Sequence, residues 1–286
     1  MDDYVLLHHF DAKIPPHGFN VPKPAIRGTL CEYRPILRGA YWHPQTDRQA
    51  VYMDSRNSPF ALGWYASGSH RDFWGEDGTH STYTLVPYGD LPILDRKRLN
   101  GSLAWIPDLP ADDLALAFED ITFSPADRLA RLAEEAARHR VSLPDSFMRF
   151  LWTPEIHCRV PTCTACYLDL SDRMIDAPGG AEGRLLRFMN DQQCCLLWYL
   201  HLRPGGEHAV LVGAPEWDDE AEGETLEDMV RLTEVLFCSP TFDDFILRFW
   251  LENTIWFSLH RARPMTQEQW EYLGAVRSIK ARQATR

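Results

Sequence analysis

The sequence predicts an α/β fold of the α+β kind: a mixed, largely antiparallel sheet flanked by helices, with a β-rich N-terminal part. Three observations carry this. Short aromatic or β-branched runs separated by Gly, Pro, Asn and Asp recur up to residue 110, as in strands joined by turns. The texture then changes after Pro110 to helix-forming stretches. Three apolar runs follow between residues 185 and 213, joined by connections too short for a crossover helix, so they pair antiparallel.

In chain order, the first strand candidates are Tyr33 to Trp42, Ala50 to Met53, Phe60 to Tyr65 and Thr82 to Val86. Pro15, Pro16, Pro22 and Pro24 make the first thirty residues extended and irregular. Ser124-Pro125-Ala126-Asp127 reads as a helix start, with Ser124 as cap and Pro125 in the first helical position. Leu129, Leu132, Ala133 and Ala136 then share one face. Leu143-Pro144 opens a second helix, with Phe147, Phe150 and Leu151 at helical spacing. Tyr167 to Leu170, Leu185 to Met189, Leu196 to Leu202 and Ala209 to Gly213 are further strands. Thr225 with Asp228 suits a helix cap. Thr241 with Asp244 forms a capping box before an apolar face of Phe242, Phe245, Ile246, Phe249 and Trp250. A last helix starts at Thr266, capped with Gln269, and is expected to bury Trp270 and Leu273. The change of texture divides the chain into a β-rich region, 1–110, and an α/β domain, 111–286.

Hydrophobic residues make up 45% and charged residues 24%, a composition that builds a packed core rather than a disordered chain. The net charge of −12 repels phosphate backbones, which excludes a general nucleic-acid binder and favours a basic protein partner. MDDYVLLHHFDA has neither a basic n-region nor a long apolar h-region, and no run spans a bilayer, so neither secretion nor membrane insertion is expected. Seven Cys, two of them adjacent at 194 and 195, do not form a disulfide framework; free thiols in a reducing cytoplasm are expected.

Enzyme motifs are missing: there is no G-x-S-x-G, no Gly-rich phosphate loop and no H-E-x-x-H. No catalytic residue and no cofactor is expected. The one weak metal candidate is Cys163 with Cys166, a C-x-x-C pair to which Cys158 or His157 adds a third ligand; a fourth is wanting. The loop His70 to His80 gathers His70, Asp72, Glu76 and His80, groups able to hold a metal or serve as acid and base, and equally ordinary for a solvated loop. Trp198 and Tyr199 point to opposite faces of their strand, so one packs on a helix and the other is either exposed to a partner or covered by the N-terminal region. Residues 216–228 hold eight acidic residues and no basic one. Asp218, Asp219, Glu220 and Glu222 there, with Trp198 and Tyr199, are the candidate partner-binding residues.

Several stretches of the C-terminal half, in order, resemble the SUKH superfamily of immunity and regulatory proteins. They are Leu143-Pro144-Asp145-Ser146-Phe147-Met148-Arg149-Phe150, Cys163 to Tyr167, and Leu186 to Gln193 followed by Leu197-Trp198-Tyr199-Leu200. Thr241 to Ile246 and Arg248 to Asn253 complete the series. The resemblance covers about residues 120 to 260. It implies a central sheet flanked by helices and a non-enzymatic binding protein, often one that neutralises a cognate toxin in a toxin–antitoxin type of pairing. It carries no shared catalytic residues. The acidic stretch and the N-terminal 110 residues depart from a minimal domain. A regulatory scaffold for an endogenous enzyme and a metal-dependent hydrolase are the alternatives. The sequence sets no oligomeric state.

Overall fold

The computed structural model describes residues 41–43, 48–50, 61–67, 83–87, 91–110, 118, 125–177, 182–192, 196–213 and 235–283. The expected α+β architecture is present. The strands are β1 (Tyr41–His43), β2 (Arg48–Ala50), β3 (Ala61–Ser67), β4 (Tyr83–Pro87), β5 (Tyr167–Leu168), β6 (Ile175–Asp176), β7 (Arg184–Asn190), β8 (Leu197–Leu202), β9 (His208–Gly213) and β10 (Val235–Ser239). The helices are α1 (Pro125–Arg138), α2 (Asp145–Trp152), α3 (Pro154–His157), α4 (Phe242–His260) and α5 (Gln267–Gln283). β1 and β2 form a separate antiparallel pair. The main sheet runs β4-β3-β10-β9-β8-β7-β5, with β6 also on β7. Its neighbours are antiparallel except β3 with β10, which are parallel.

The middle strands alternate between two buried faces. Trp198, Leu200 and Leu202 of β8, Val210 and Val212 of β9, and Leu236 and Cys238 of β10 belong to the core shared with the helices. Leu197, Tyr199, Leu211 and Phe237 point the other way and are buried as well. A strand covered on both sides reads as a continuous apolar run, which is why all six residues of β8 are buried. Gly183, just before β7, has φ +120°, and a Cβ there would lie 2.3 Å from the Leu202 carbonyl oxygen, so only glycine fits.

The helix faces follow their spacing. Leu129, Leu132 and Ala136 of α1 are buried, whereas Ala133, expected with them, is exposed. Phe147, Phe150 and Leu151 fill the inner face of α2. Helix α4 packs on β3, β9, β10, α2 and α5 and is buried nearly all round. Its cap is as read: Thr241 Oγ1 accepts from the Asp244 amide at 3.0 Å and donates to Asp244 Oδ2 at 2.8 Å. At α5 the capping box is reciprocal, Gln269 N to Thr266 Oγ1 at 3.3 Å and Thr266 N to Gln269 Oε1 at 2.8 Å.

One expectation is corrected. Trp270 is half-exposed; α5 buries Leu273 as expected, together with Tyr272 and Val276, a face rotated away from the tryptophan. Val235 to Ser239 is a strand that the sequence reading did not name, and the helix start expected at Thr225 lies outside the described residues. The 91–110 segment packs on the core of the C-terminal half. Leu94, Leu103 and Ile106 belong to it, and Arg96, Arg98 and the Gly101 amide bond to Asp244, Glu268 and Asp243. β3 and β4, from the same N-terminal region, extend the sheet of the C-terminal half through the β3–β10 pairing.

Candidate functional site

An open groove of about 610 Å³ lies between α1 and α2. Local sequence builds it. Helix α1 ends in a Schellman turn: Val141 N bonds Ala136 O at 3.0 Å and Arg140 N bonds Ala137 O at 3.1 Å, with Arg140 in the left-handed region at φ +59°. That reversal brings Val141 and Leu143 beneath the groove, and Pro144 starts α2 from an extended conformation. Ala133 and Ala137 form one wall, small enough to leave the space open; Met148 and Trp152 form the other. Trp152 is 52% exposed. A large aromatic half-exposed beside apolar methyl groups is the type of anchor that protein interfaces use. Asp145 and Arg149 add polar groups on the α2 side.

Two of the partner-binding residues expected from sequence, Trp198 and Tyr199, do not line this groove. Trp198 is 2% and Tyr199 0% exposed, so neither is presented to a partner as described. Both faces of β8 are covered, and the alternation rule says only that the two rings face opposite ways, not that one of them is free. Asp218, Asp219, Glu220 and Glu222 lie outside the described residues, as do His70, Asp72, Glu76 and His80.

The cysteine loop does not converge as a metal centre. Among the described residues no group of three or more His, Cys, Asp or Glu is placed to hold a metal ion. The reason is local packing. His157 is buried against α2, with Nδ1 2.9 Å from the Phe150 carbonyl and its ring edge-on to Phe150. The Cys166 amide donates to Thr162 Oγ1 at 2.7 Å, and its sulfur is 3.1 Å from Thr164 Oγ1. The Cys163 amide is tied to Asn253 Oδ1 of α4 at 2.7 Å. Burial pushes the Cys163 thiol well above its usual range, and Cys166 and Glu252 push it the same way, which disfavours the thiolate. Cys158, Cys163, Cys166 and Cys238 are not in disulfides.

Behind this loop lies a buried polar network that the sequence did not single out. Arg248 donates to Tyr272 Oη and to the Pro92 carbonyl, each at 3.0 Å, and Tyr272 donates to Glu252 Oε1 at 2.6 Å. Glu252 and Asn253 are fully buried. Burial, then the Glu252 charge, raises the Tyr272 hydroxyl well above its usual value, which keeps it a donor. Buried between them, these groups brace α4, α5 and the 91–110 segment.

A second polar cluster borders the β5–β7 edge. Arg187 pairs with Asp169, and Asn190 Nδ2 bonds Asp169 Oδ2 at 2.8 Å and Tyr167 Oη at 3.3 Å. Asp191, in the turn after β7, accepts from the Leu196 amide at 3.2 Å, which is the turn-forming role its position predicts.

Compared with known proteins, the chain matches no family model, no curated protein and no solved structure. No helix among the described residues is long and apolar enough to cross a membrane.

Proposed function

We propose that this chain is a non-enzymatic, cytoplasmic binding protein of the SUKH type that captures and neutralises a cognate toxin. The observation that carries the reading is the two-sidedness of α2. Its inner residues Phe147 and Phe150 sit in the core, while its outer residues Met148 and Trp152 line the open groove. Helix α2 is also where the L-P-x-x-F stretch of the resemblance lies. The aromatic residues of that stretch meet those of two others: Phe147 is 5.7 Å from Phe188 and 5.2 Å from Phe242, all edge to face. Stretches far apart in the chain thus support one another in a single cluster, with the groove on its outer side.

The partner the chain fits is a folded domain of net positive charge, such as a nuclease that must itself approach phosphates. A net charge of −12 accelerates capture of such a domain, and an aromatic anchor in the groove then slows its release. The test is association with the product of the adjacent gene. Replacing Trp152 by Ala is expected to weaken binding by roughly tenfold or more, mainly through faster dissociation. Its effect on stability should stay small, because the ring is half-exposed. Replacing Asp218, Asp219, Glu220 and Glu222 by Ser or Gln is expected to slow association by about tenfold at low salt, the difference closing at high salt. Unchanged affinity and unchanged salt dependence in both variants would overturn the reading.

A further inference from the structure

Where α4 begins, three parts of the molecule meet: the start of β9, the first turn of the helix and the 91–110 segment. The first amide N–H groups of a helix have no partner within it. Here the Phe242 N–H is accepted by His208 Nε2 at 3.1 Å, and the Asp244 N–H by Thr241 Oγ1. With Nε2 accepting, the proton of the neutral ring sits on Nδ1, toward the Gly206 backbone. The neutral imidazole is therefore a helix cap.

The charged groups around it are those that hold the 91–110 segment. Asp243 Oδ1 accepts from the Gly101 amide at 3.0 Å, and Asp244 Oδ2 pairs with Arg96 at 2.6 Å. Beside His208 in the chain, Glu207 pairs with Arg203.

We infer that His208 is an acid-operated latch between α4 and the 91–110 segment. A proton taken from solvent turns Nε2 from acceptor into donor. It then faces the Phe242 N–H donor to donor, and it places a positive charge at the positive end of the helix dipole. Relief comes from Asp243 or Asp244, in the same first turn of the helix, whose charges act on the ring. An imidazolium bonded to either carboxylate displaces the Gly101 amide or Arg96, so the same proton loosens the helix cap and the attachment of the 91–110 segment. This device is independent of the partner proposed above.

The sign of the effect follows from the surroundings. Burial holds His208 below its ordinary value, against the pull of the Gly206 bond and of Asp243 and Asp244. The unfolded chain therefore binds the proton first as pH falls. The stabilising contribution is complete at neutral pH and above, and is lost as pH drops through the ordinary histidine range toward the depressed folded value.

The experiment is amide hydrogen exchange by NMR on the full chain between about pH 7.5 and 4.5, corrected for intrinsic rates, alongside the titration of the His208 ring. Protection at Phe242 and Gly101 should fall by roughly tenfold with the same midpoint as the ring, the loss of about one hydrogen bond with its dipole contribution. Protection at Tyr199, in the middle of the sheet, should not move with that midpoint. In His208→Gln, whose amide oxygen accepts without titrating, protection at Phe242 and Gly101 should be flat. Asp243→Asn should lower the midpoint. His201 is a separate group, bonded to the Glu182 carbonyl and pushed down to about 4 by burial, and it reports through amides at that distant turn. A His208 ring that titrates while Phe242 and Gly101 keep their protection would overturn the latch. So would an unchanged acid response in His208→Gln.

Discussion

Replacing Glu252 by Ala is expected to destabilise the fold by roughly 3–5 kcal/mol, because it leaves the buried Arg248 without its compensating acid. Glu252 has no exposed surface, and Arg248 is 7% exposed. The guanidinium reaches the carboxyl through Tyr272, over whose ring it also sits, with Cζ 5.7 Å from the centroid. Removing the acid strands the charge and a tyrosine hydroxyl together. Glu252→Gln should cost less, since the Tyr272 bond survives while the charge balance does not. Replacing both members, Arg248→Met with Glu252→Leu, should recover much of the loss, because a dry pair of similar volume has no desolvation cost to offset. Urea unfolding at constant slope measures all three. A Glu252→Ala loss under about 1 kcal/mol would show that water or another group already compensates Arg248.

Phe242→Ala should cost about 3–5 kcal/mol, the range for deleting a fully buried phenyl ring. The ring touches Phe147, Phe150, Phe188 and Phe245, with centroids 5.2 to 6.2 Å apart, and so joins α2, β7 and α4. Little can collapse into the cavity, since its walls belong to three elements fixed by separate hydrogen bonds. Phe242→Leu should cost under about 1.5 kcal/mol if the site repacks. Denaturant midpoints distinguish the two. An alanine variant as mild as the leucine one would mean that the cluster is not the centre of the core.

The parts of the fold legible in the sequence are those with a strict period or a local hydrogen-bond code. Phe147, Phe150 and Leu151 declare one helix face, Thr241 and Thr266 declare two caps, and the short turns between β7, β8 and β9 leave only antiparallel pairing. What was not legible depends on distant partners. Val235 to Ser239 is five residues long, and its place beside β3 is set by a pairing across about 170 positions that no local pattern encodes. Residues 91–110 have no period because they are held by Arg96, Arg98 and Gly101, one bond at a time. Glu252 and Asn253 look like the solvent face of α4 by type, yet the helix is enclosed, and they are paid for by Tyr272 and the Cys163 amide.

The candidate site was less legible still. Trp198 and Tyr199 stand out as aromatics, but a central strand with both faces covered hides them. Trp152 gave only the signal of an aromatic out of phase with Phe147, Phe150 and Leu151 on an eight-residue helix. Such a residue is either a stray surface ring or an anchor, and only the groove beside it separates the two.

The most direct test of the proposed function is to titrate this chain into the purified product of the adjacent gene while following that product's toxic activity. Activity should fall in proportion to added chain and vanish at a fixed stoichiometric ratio, and the Trp152→Ala chain should need a clear excess to achieve the same. Toxic activity that persists at saturating chain would contradict the account.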